Sequence, residues 1–252
     1  MRGIRKTRGG LSLSLILILS MTGCFLFHEP RSDTVQGLFY DGLDYFEEGN
    51  YRKAREAFQE LRDRYPLSKY SIVAELRIAD CYYYSKEYTE AIFQYEEFLK
   101  LHPTNPVIPY VIFQMGMANF DQILSIDRDQ TFTKEAVKQF EYLISRYPSS
   151  TYAAAAQEKL AICKERLSEH EFYVGHLYFK RKKYKAALRR FEGILEKFPE
   201  SSIMAKTYLY IGKSHLSLEE KGKAKDALIQ LVRNYPKSEY YKQAQNLLAK
   251  LK

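Results

Sequence analysis

A short phrase, an aromatic residue followed by Pro, any residue and Ser, recurs along this chain and constrains its fold more than any other feature. Copies begin at Tyr65, Tyr147, Phe198 and Tyr235, and a looser one begins at His102. Because Pro has no backbone N–H and clashes with the preceding helical turn, each copy ends a helix. The Ser that follows can cap the next helix by accepting a backbone N–H. The phrase therefore predicts short helices separated by similar turns.

Each turn follows a helix with one apolar stripe at i, i+4 and i+7. The stripes are Ala54/Phe58/Leu61, Ala91/Tyr95/Phe98, Ala136/Phe140/Leu143, Ala187/Phe191/Ile194 and Ala224/Leu228/Leu231. A second helix precedes each stripe and carries a small residue where two helices must approach closely. These small residues are Gly42, Ala79, Gly116, Gly175 and Gly212. Five such pairs in order form the tetratricopeptide pattern, which predicts an all-α solenoid of about five helical hairpins.

The repeat spacing is irregular and divides the chain into two parts. The first residues of successive stripes lie 37, 45, 51 and 37 residues apart, and an insertion is expected around residues 125–133. Thr151 to Tyr173 contains neither Gly nor Pro, which predicts one long connecting helix. We therefore expect repeats 1–3 in residues 34–150, and the long helix with repeats 4–5 in residues 151–252. Tyr240 to Leu251 is the expected C-terminal capping helix.

The first 23 residues have the features of a targeting segment. A basic start without acids is followed by a Leu- and Ile-rich run of ten residues, 11–20, about half the length that spans a membrane. The run ends in Met21-Thr22-Gly23-Cys24, which resembles the lipobox of bacterial lipoproteins. We expect residues 1–23 to be a signal peptide, Cys24 to carry the lipid and residues 24–33 to form a tether. An ordinary signal peptide cut nearby, with Cys24 incidental, is the alternative.

The expected export and the absence of catalytic motifs argue against nucleic-acid binding and against catalysis. The formal net charge is +8, but an exported protein does not meet nucleic acid, so we expect none as a partner. The sequence has no HExxH, GxSxG, CxxC or Gly-rich phosphate loop. His170 and His176 are six residues apart and cannot share a metal as an i, i+4 pair would. No enzyme activity, metal or cofactor is therefore predicted. Cys81 and Cys163 lie in helical patterns beside apolar residues, which favours burial over a disulfide.

Several segments resemble the BamD family of outer membrane β-barrel assembly lipoproteins. Leu101 to Gly116 is similar to the start of that family's third repeat, and Ile126 to Asp129 falls where the family has an insertion. Arg146 to Tyr152 and the helix beyond are similar to its long connecting helix. The resemblance extends from the lipobox to about residue 200 and fades in the last repeat. It implies a lipoprotein on the periplasmic face of the outer membrane, anchored at Cys24.

The resemblance also implies partners. Proteins of this family bind the periplasmic domains of the BamA barrel insertase through their C-terminal repeats and unfolded outer membrane proteins through their N-terminal repeats. Other assembly lipoproteins belong to the same set of implied partners. Arg190-Phe191-Glu192-Gly193 matches the family phrase whose Arg pairs with a BamA carboxylate. Lys182 and Lys183 are expected to steer the insertase electrostatically. A solvated charge run, or a contact with phospholipid head groups, is the alternative for these lysines.

The concave groove of the N-terminal repeats is the predicted client site. Repeat geometry turns fixed positions of each first helix into the groove. The predicted groove residues are Phe39, Leu76, Arg77, Asp80, Tyr83, Tyr110, Phe113, Met117 and Phe120. Rings suit an apolar peptide that ends in Phe, and Arg77 can pair with its terminal carboxylate. The alternative is that half of these rings belong to the core between helices.

Together these features predict a non-enzymatic scaffold that bridges a membrane insertase and its unfolded clients. A periplasmic tetratricopeptide adaptor for envelope constriction or polysaccharide export would share the turns. Such adaptors usually lack the insertion and keep regular spacing. A cell-wall hydrolase is disfavoured because repeats occupy residues 34–252 and leave no room for a catalytic domain.

Overall fold

The computed structural model describes residues 33–251. In this range the chain forms eleven α-helices and no β-strand. The helices are α1 (Val35–Glu47), α2 (Tyr51–Arg64), α3 (Lys69–Tyr84), α4 (Tyr88–Leu101), α5 (Ile108–Phe120), α6 (Thr131–Arg146), α7 (Ala153–Lys180), α8 (Tyr184–Lys197), α9 (Met204–Ser217), α10 (Lys221–Asn234) and α11 (Tyr241–Ala249). The predicted signal peptide and Cys24 lie outside the described residues. None of the eleven helices combines the length and apolar character needed to cross a membrane.

The helices pair into five successive hairpins, from α1–α2 to α9–α10, and α11 packs on α10 at the end. Each hairpin packs on the next through helices that are consecutive in sequence. The buried apolar residues accordingly form five small clusters along the chain instead of one central core. This arrangement confirms the predicted all-α solenoid of five hairpins, a long helix and a capping helix.

The long helix α7 has 28 residues and begins at Ala153, two residues later than the sequence predicts. The Ser150 hydroxyl accepts a hydrogen bond from the backbone N–H of Tyr152 at 3.2 Å, which keeps Thr151 and Tyr152 in the turn. The same bond, to the N–H two residues later, is accepted by Ser68, Ser201 and Ser238. The predicted capping role is therefore confirmed at Ser68, the N-cap of α3. Ser150, Ser201 and Ser238 instead make this bond within the turn, because the N-caps of α7, α9 and α11 lie two residues further along the chain.

In four hairpins a glycine of the first helix lies directly against a side chain of the second. A methyl group added to each glycine would lie 2.5–2.8 Å from the nearest side-chain carbon of its neighbour. The pairs are Gly42–Phe58, Gly116–Phe140, Gly175–Phe191 and Gly212–Leu228. All four neighbouring side chains are fully buried. Because side-chain carbons do not approach one another so closely, each pair needs glycine to close.

The insertion in the third repeat, residues 121–130, is folded and connected to α7. Gln130 is buried, and its side-chain amide donates to the carbonyls of Ser125 at 2.9 Å and Arg128 at 3.1 Å. From α7, His170 Nδ1 donates to the carbonyl of Ile126 at 2.6 Å. The insertion therefore links the third hairpin to the helix that leads into the last two repeats.

Cys81 and Cys163 are buried free thiols, as the sequence predicts. They belong to different hydrophobic clusters, so each thiol packs as a small apolar group. Burial raises the pKa of both thiols to about 12. Both therefore remain protonated at neutral pH and are poor nucleophiles.

The glycine contacts predict a difference between two substitutions. We expect Gly116→Val to lower the free energy of unfolding by about 2–3 kcal/mol, because the new side chain overlaps the fully buried Phe140 ring. Gly193 in α8 has no side-chain neighbour within 4 Å of an added carbon, so Gly193→Val should change stability by less than about 0.5 kcal/mol. Urea unfolding followed by circular dichroism measures both. Equal effects would contradict the packing role of Gly116.

Candidate functional site

A cleft of about 810 Å³ runs along α3 in the N-terminal half of the chain, and we name it the α3 cleft. Residues from α3, the α4–α5 turn, the start of α5 and the α6–α7 turn line it. Its apolar walls comprise Ile72, Val73, Leu76, Val107, Tyr110 and Tyr152. Ile72 and Val73 are each 39% exposed, so apolar surface faces the opening without a covering element in the described chain. A cleft of this size and character suits an apolar peptide segment.

A buried carboxylate forms the floor of the α3 cleft. Asp80 is fully buried. Its Oδ1 accepts hydrogen bonds from the hydroxyls of Tyr95 at 2.7 Å and Tyr110 at 2.8 Å. Its Oδ2 accepts one from Arg77 Nη1 at 3.1 Å, and Gln114 Nε2 donates to the Tyr110 hydroxyl. These bonds fix the Tyr110 ring and the Arg77 side chain where they line the cleft.

Burial determines the direction in which the pKa of Asp80 shifts. It raises this pKa above its ordinary value, although the hydroxyls of Tyr95 and Tyr110 and the Arg77 guanidinium act in the opposite direction. The folded chain therefore binds the Asp80 proton more tightly than the unfolded chain does. Stability from this group consequently falls as the pH rises from the unfolded pKa to the raised folded pKa.

Two arginines line the α3 cleft and differ in their partners. The Arg77 side chain is 37% exposed and already paired with Asp80. Arg146, at the end of α6, lies over the Tyr147 ring at 5.9 Å and forms no ion pair within the described residues. Sequence analysis missed Arg146 because it belongs to a second helix, whereas the predicted groove positions were taken from first helices. Its guanidinium is the more available partner for an incoming carboxylate.

The structure brings together four of the nine predicted groove residues, namely Leu76, Arg77, Asp80 and Tyr110. The other five, Phe39, Tyr83, Phe113, Met117 and Phe120, are not part of the cleft lining. Phe39 packs in the first hairpin, and the Tyr83 hydroxyl donates to Asp121 at 2.7 Å. The remaining three pack against the core of the third hairpin. Wall residues such as Val107 and Tyr152 come from the turns between hairpins, whereas the predicted groove positions were taken from first helices alone.

A second candidate surface lies on α8, formed by Arg189, Arg190 and Lys197, and we name it the α8 surface. These side chains line a shallow cavity of about 320 Å³ between α7 and α8. Arg190 Nη1 lies 2.9 Å from Glu171 Oε2, and the two side chains are 44% and 31% exposed. The predicted insertase-binding arginine is thus accessible, but it already has a carboxylate partner. An external carboxylate would have to share or replace Glu171.

The two predicted steering lysines occupy the turn between α7 and α8. Both are exposed. Lys182 has a φ of 58°, in the left-handed region, at the turn position where the first repeat has Gly49 with a φ of 75°. Lys182 therefore has a backbone constraint that is independent of its charge. A change at Lys183, which precedes the first residue of α8, tests the charge more cleanly.

Comparisons with known proteins place this chain among envelope proteins. The profile of a family described as YfiO, outer membrane lipoprotein, matches residues 31–229. An outer membrane protein assembly factor BamD from Caulobacter vibrioides is 27% identical, over 97% of this chain and 82% of the relative. Its counterpart from Rickettsia prowazekii is 26% identical, over 94% of this chain and 96% of the relative. Among solved structures, the TPR2AB domain of yeast Sti1 covers 86% of this chain and 82% of its own length at 14% identity, with a TM-score of 0.45.

The Asp80 network predicts a pH-dependent effect of one hydroxyl. We expect Tyr95→Phe to lower the free energy of unfolding by about 1–3 kcal/mol at pH 7.5, because a buried carboxylate loses a donor. The loss should shrink at acidic pH, where a protonated Asp80 depends less on that donor. Tyr142→Phe, at a 52% exposed tyrosine of α6, is the matched control and should have no measurable effect. A pH-independent loss in urea unfolding would contradict the charged-carboxylate account.

Proposed function

Because the chain belongs to the YfiO family of outer membrane lipoproteins, we propose that it is a non-enzymatic assembly factor for outer membrane proteins. In this proposal it holds a BamA-like barrel insertase at the α8 surface and an unfolded client at the α3 cleft. The observation that supports the proposal most directly is the separation of these two surfaces on different hairpins of one solenoid. A lipid on Cys24, suggested by the lipobox, would keep both at the periplasmic face of the outer membrane.

Charge and geometry support the α8 surface as the insertase contact. Arg189, Arg190 and Lys197 place three cations around one cavity, and a carboxylate from this chain, Glu171, already binds there. A guanidinium can hold a carboxylate through two parallel hydrogen bonds, which fixes the orientation of the partner. The contact we propose exchanges or shares Glu171 with an acidic side chain of the insertase. Such an exchange fixes the orientation of the insertase and speeds its association more than it raises the affinity.

Apolar walls and a nearby cation support the α3 cleft as the client contact. Val73, Val107 and Tyr152 offer surface that an aromatic side chain can cover, and such burial contributes about 25 cal/mol per Å². Arg146 lies at the same cleft without an ion-pair partner in the described chain. We propose that the last strand of an unfolded barrel protein places its terminal ring between these walls and its carboxylate near Arg146. In this arrangement Arg77 stays paired with Asp80 at the floor of the cleft, and Arg146 is the main contact of the client carboxylate.

The α8 surface makes a prediction about complex formation. We expect Arg190→Glu to reduce the insertase that co-purifies with the full-length protein by about tenfold or more, because the new carboxylate repels the acidic partner. Glu171→Gln should retain or increase co-purification, since it frees Arg190 from its internal partner. Arg233→Glu, an exposed charge reversal on α10, is the control and should bind normally. Circular dichroism confirms that each variant is folded.

Two outcomes would contradict this assignment. Full co-purification by Arg190→Glu would remove Arg190 from the insertase contact. Equal losses for Arg190→Glu and Glu171→Gln would mean that the pair serves to join α7 and α8 and does not bind the insertase directly.

The α3 cleft makes a prediction about peptide binding. A fluorescent ten-residue peptide that copies the last strand of a barrel protein and ends in Phe should bind the full-length protein. We expect Val73→Glu to weaken this binding roughly tenfold, because a carboxylate would be desolvated against the apolar peptide. Phe93→Glu, at a 56% exposed position of α4 outside the cleft, is the control. Fluorescence anisotropy measures both, and equal losses for the two variants would place the peptide elsewhere.

A further inference from the structure

The first helices of the last two repeats share a cluster of aromatic rings that neither proposed contact uses. Phe172 and His176 of α7 stack with ring centroids 6.0 Å apart and an interplanar angle of 22°. Tyr210 of α9 meets both edge-on, at 5.3 Å and 5.0 Å. Phe179 also packs against Tyr210, at 5.2 Å. We name this the α7–α9 ring cluster, and its packing makes it a rigid platform.

Two lysines of α9 lie directly over these rings. Lys206 Nζ is 4.4 Å from the centroid of Phe172, and Lys213 Nζ is 4.9 Å from the centroid of Tyr210. Burial lowers the pKa of Lys213, so its ammonium is partly removed from water. Such cations gain more from an anionic partner than fully hydrated ones do.

These lysines have no internal anion to neutralise them. Among the described residues, neither Lys206 nor Lys213 nor the nearby Lys180 forms an ion pair, whereas Lys164 on the same α7 pairs with Glu141 at 2.8 Å. Two acidic side chains of α7 already have other partners: Glu169 lies 3.9 Å from Arg166, and Glu171 pairs with Arg190. In the described chain this surface therefore carries three lysines without an ion pair beside the partly buried rings of His176, Phe179 and Tyr210, whereas Phe172 is buried.

Lys180, Lys206 and Lys213 all lie close enough to His176 to affect its pKa. Burial lowers this pKa most, and Lys180, Lys206 and Lys213 each lower it further. His176 is therefore uncharged at neutral pH and contributes a ring to the platform. Positive charge at the α7–α9 ring cluster therefore comes from the lysines and not from His176.

We propose that this surface binds an acidic peptide segment of a partner protein that contains aromatic or apolar residues between its carboxylates. Lys206 and Lys213 are seven residues apart in one helix, which separates them by about 10 Å along the axis. Carboxylates three residues apart in an extended peptide have about the same spacing. The partly buried rings of His176 and Tyr210 then contact the apolar side chains of the segment.

A peptide fits this surface better than a lipid bilayer does. The lysines lie on first helices, which form the inner, concave side of a tetratricopeptide solenoid. A flat membrane surface reaches the outer side and the edges of a curved rod, but not its inner face. The proposal does not depend on which protein binds the α8 surface, since the two surfaces share no contact residue.

A labelled peptide and its neutral counterpart test the proposal with the full chain. The acidic probe is the acetylated, amidated peptide GEFGEFGE carrying fluorescein, and the neutral probe is GQFGQFGQ. We expect the anisotropy of the acidic probe to rise when the protein is added, and added salt to weaken this binding. The neutral probe should bind roughly tenfold more weakly. The double variant Lys206→Gln, Lys213→Gln should bind the acidic probe roughly tenfold more weakly while melting at the wild-type temperature. The double variant Lys221→Gln, Lys225→Gln removes the same charge from α10 and should bind like the wild type.

Three results would overturn the proposal. Equal losses for the two double variants would indicate a general effect of net charge. Equal affinity for the two probes would indicate apolar contact without carboxylate recognition. Binding to vesicles of equal parts phosphatidylglycerol and phosphatidylcholine that is lost in the Lys206/Lys213 variant, without binding of the acidic probe, would identify a membrane contact instead.

Discussion

The close contact between a glycine of one helix and a buried side chain of the next helix is what the rest of this structure depends on. At Gly116 there is no room for a single additional carbon beside Phe140. Because the glycine has no side chain, the two helices pack closely into a hairpin that buries one face of each. No hairpin buries all of its apolar surface alone, so each packs on its neighbours and the chain becomes a rod. The second repeat has Ala79 at the glycine position, so there the helix pair accommodates a methyl group beside the buried Tyr95.

The candidate surfaces on this rod lie between packed helices and the turns that join them. The α4–α5 and α6–α7 turns supply Val107 and Tyr152, which line the α3 cleft. The insertion at residues 121–130 binds α7 through His170 and so links the two groups of repeats. The N-terminal surface is apolar. The fully buried Asp80 beneath it accepts hydrogen bonds from Tyr95, Tyr110 and Arg77. The C-terminal surfaces are basic, so the two halves favour partners of different chemistry.

The fold was largely predictable from sequence because its contacts are local. Periodic stripes, small residues and Pro turns each report on neighbours within about forty residues, and they predict the five hairpins, the long helix and the capping helix. The site was predictable only in part. Repeat position gives the direction of a side chain, and Leu76 and Tyr110 do line the α3 cleft. It does not reveal whether another helix covers a ring such as Phe113. The Arg190–Glu171 pair joins adjacent helices, and the left-handed backbone of Lys182 has no sequence signal comparable to Gly49.

Site-specific photo-crosslinking in the outer membrane tests most directly the central claim that two separate surfaces hold two kinds of protein. A crosslinking amino acid is placed at Val107 in the α3 cleft, at Arg189 on the α8 surface, and at Tyr142, exposed on α6, as a background position. The account predicts unfolded barrel proteins attached at Val107, a BamA-like insertase attached at Arg189, and neither at Tyr142. The same partner at Val107 and Arg189, or equal labelling from Tyr142, would contradict it.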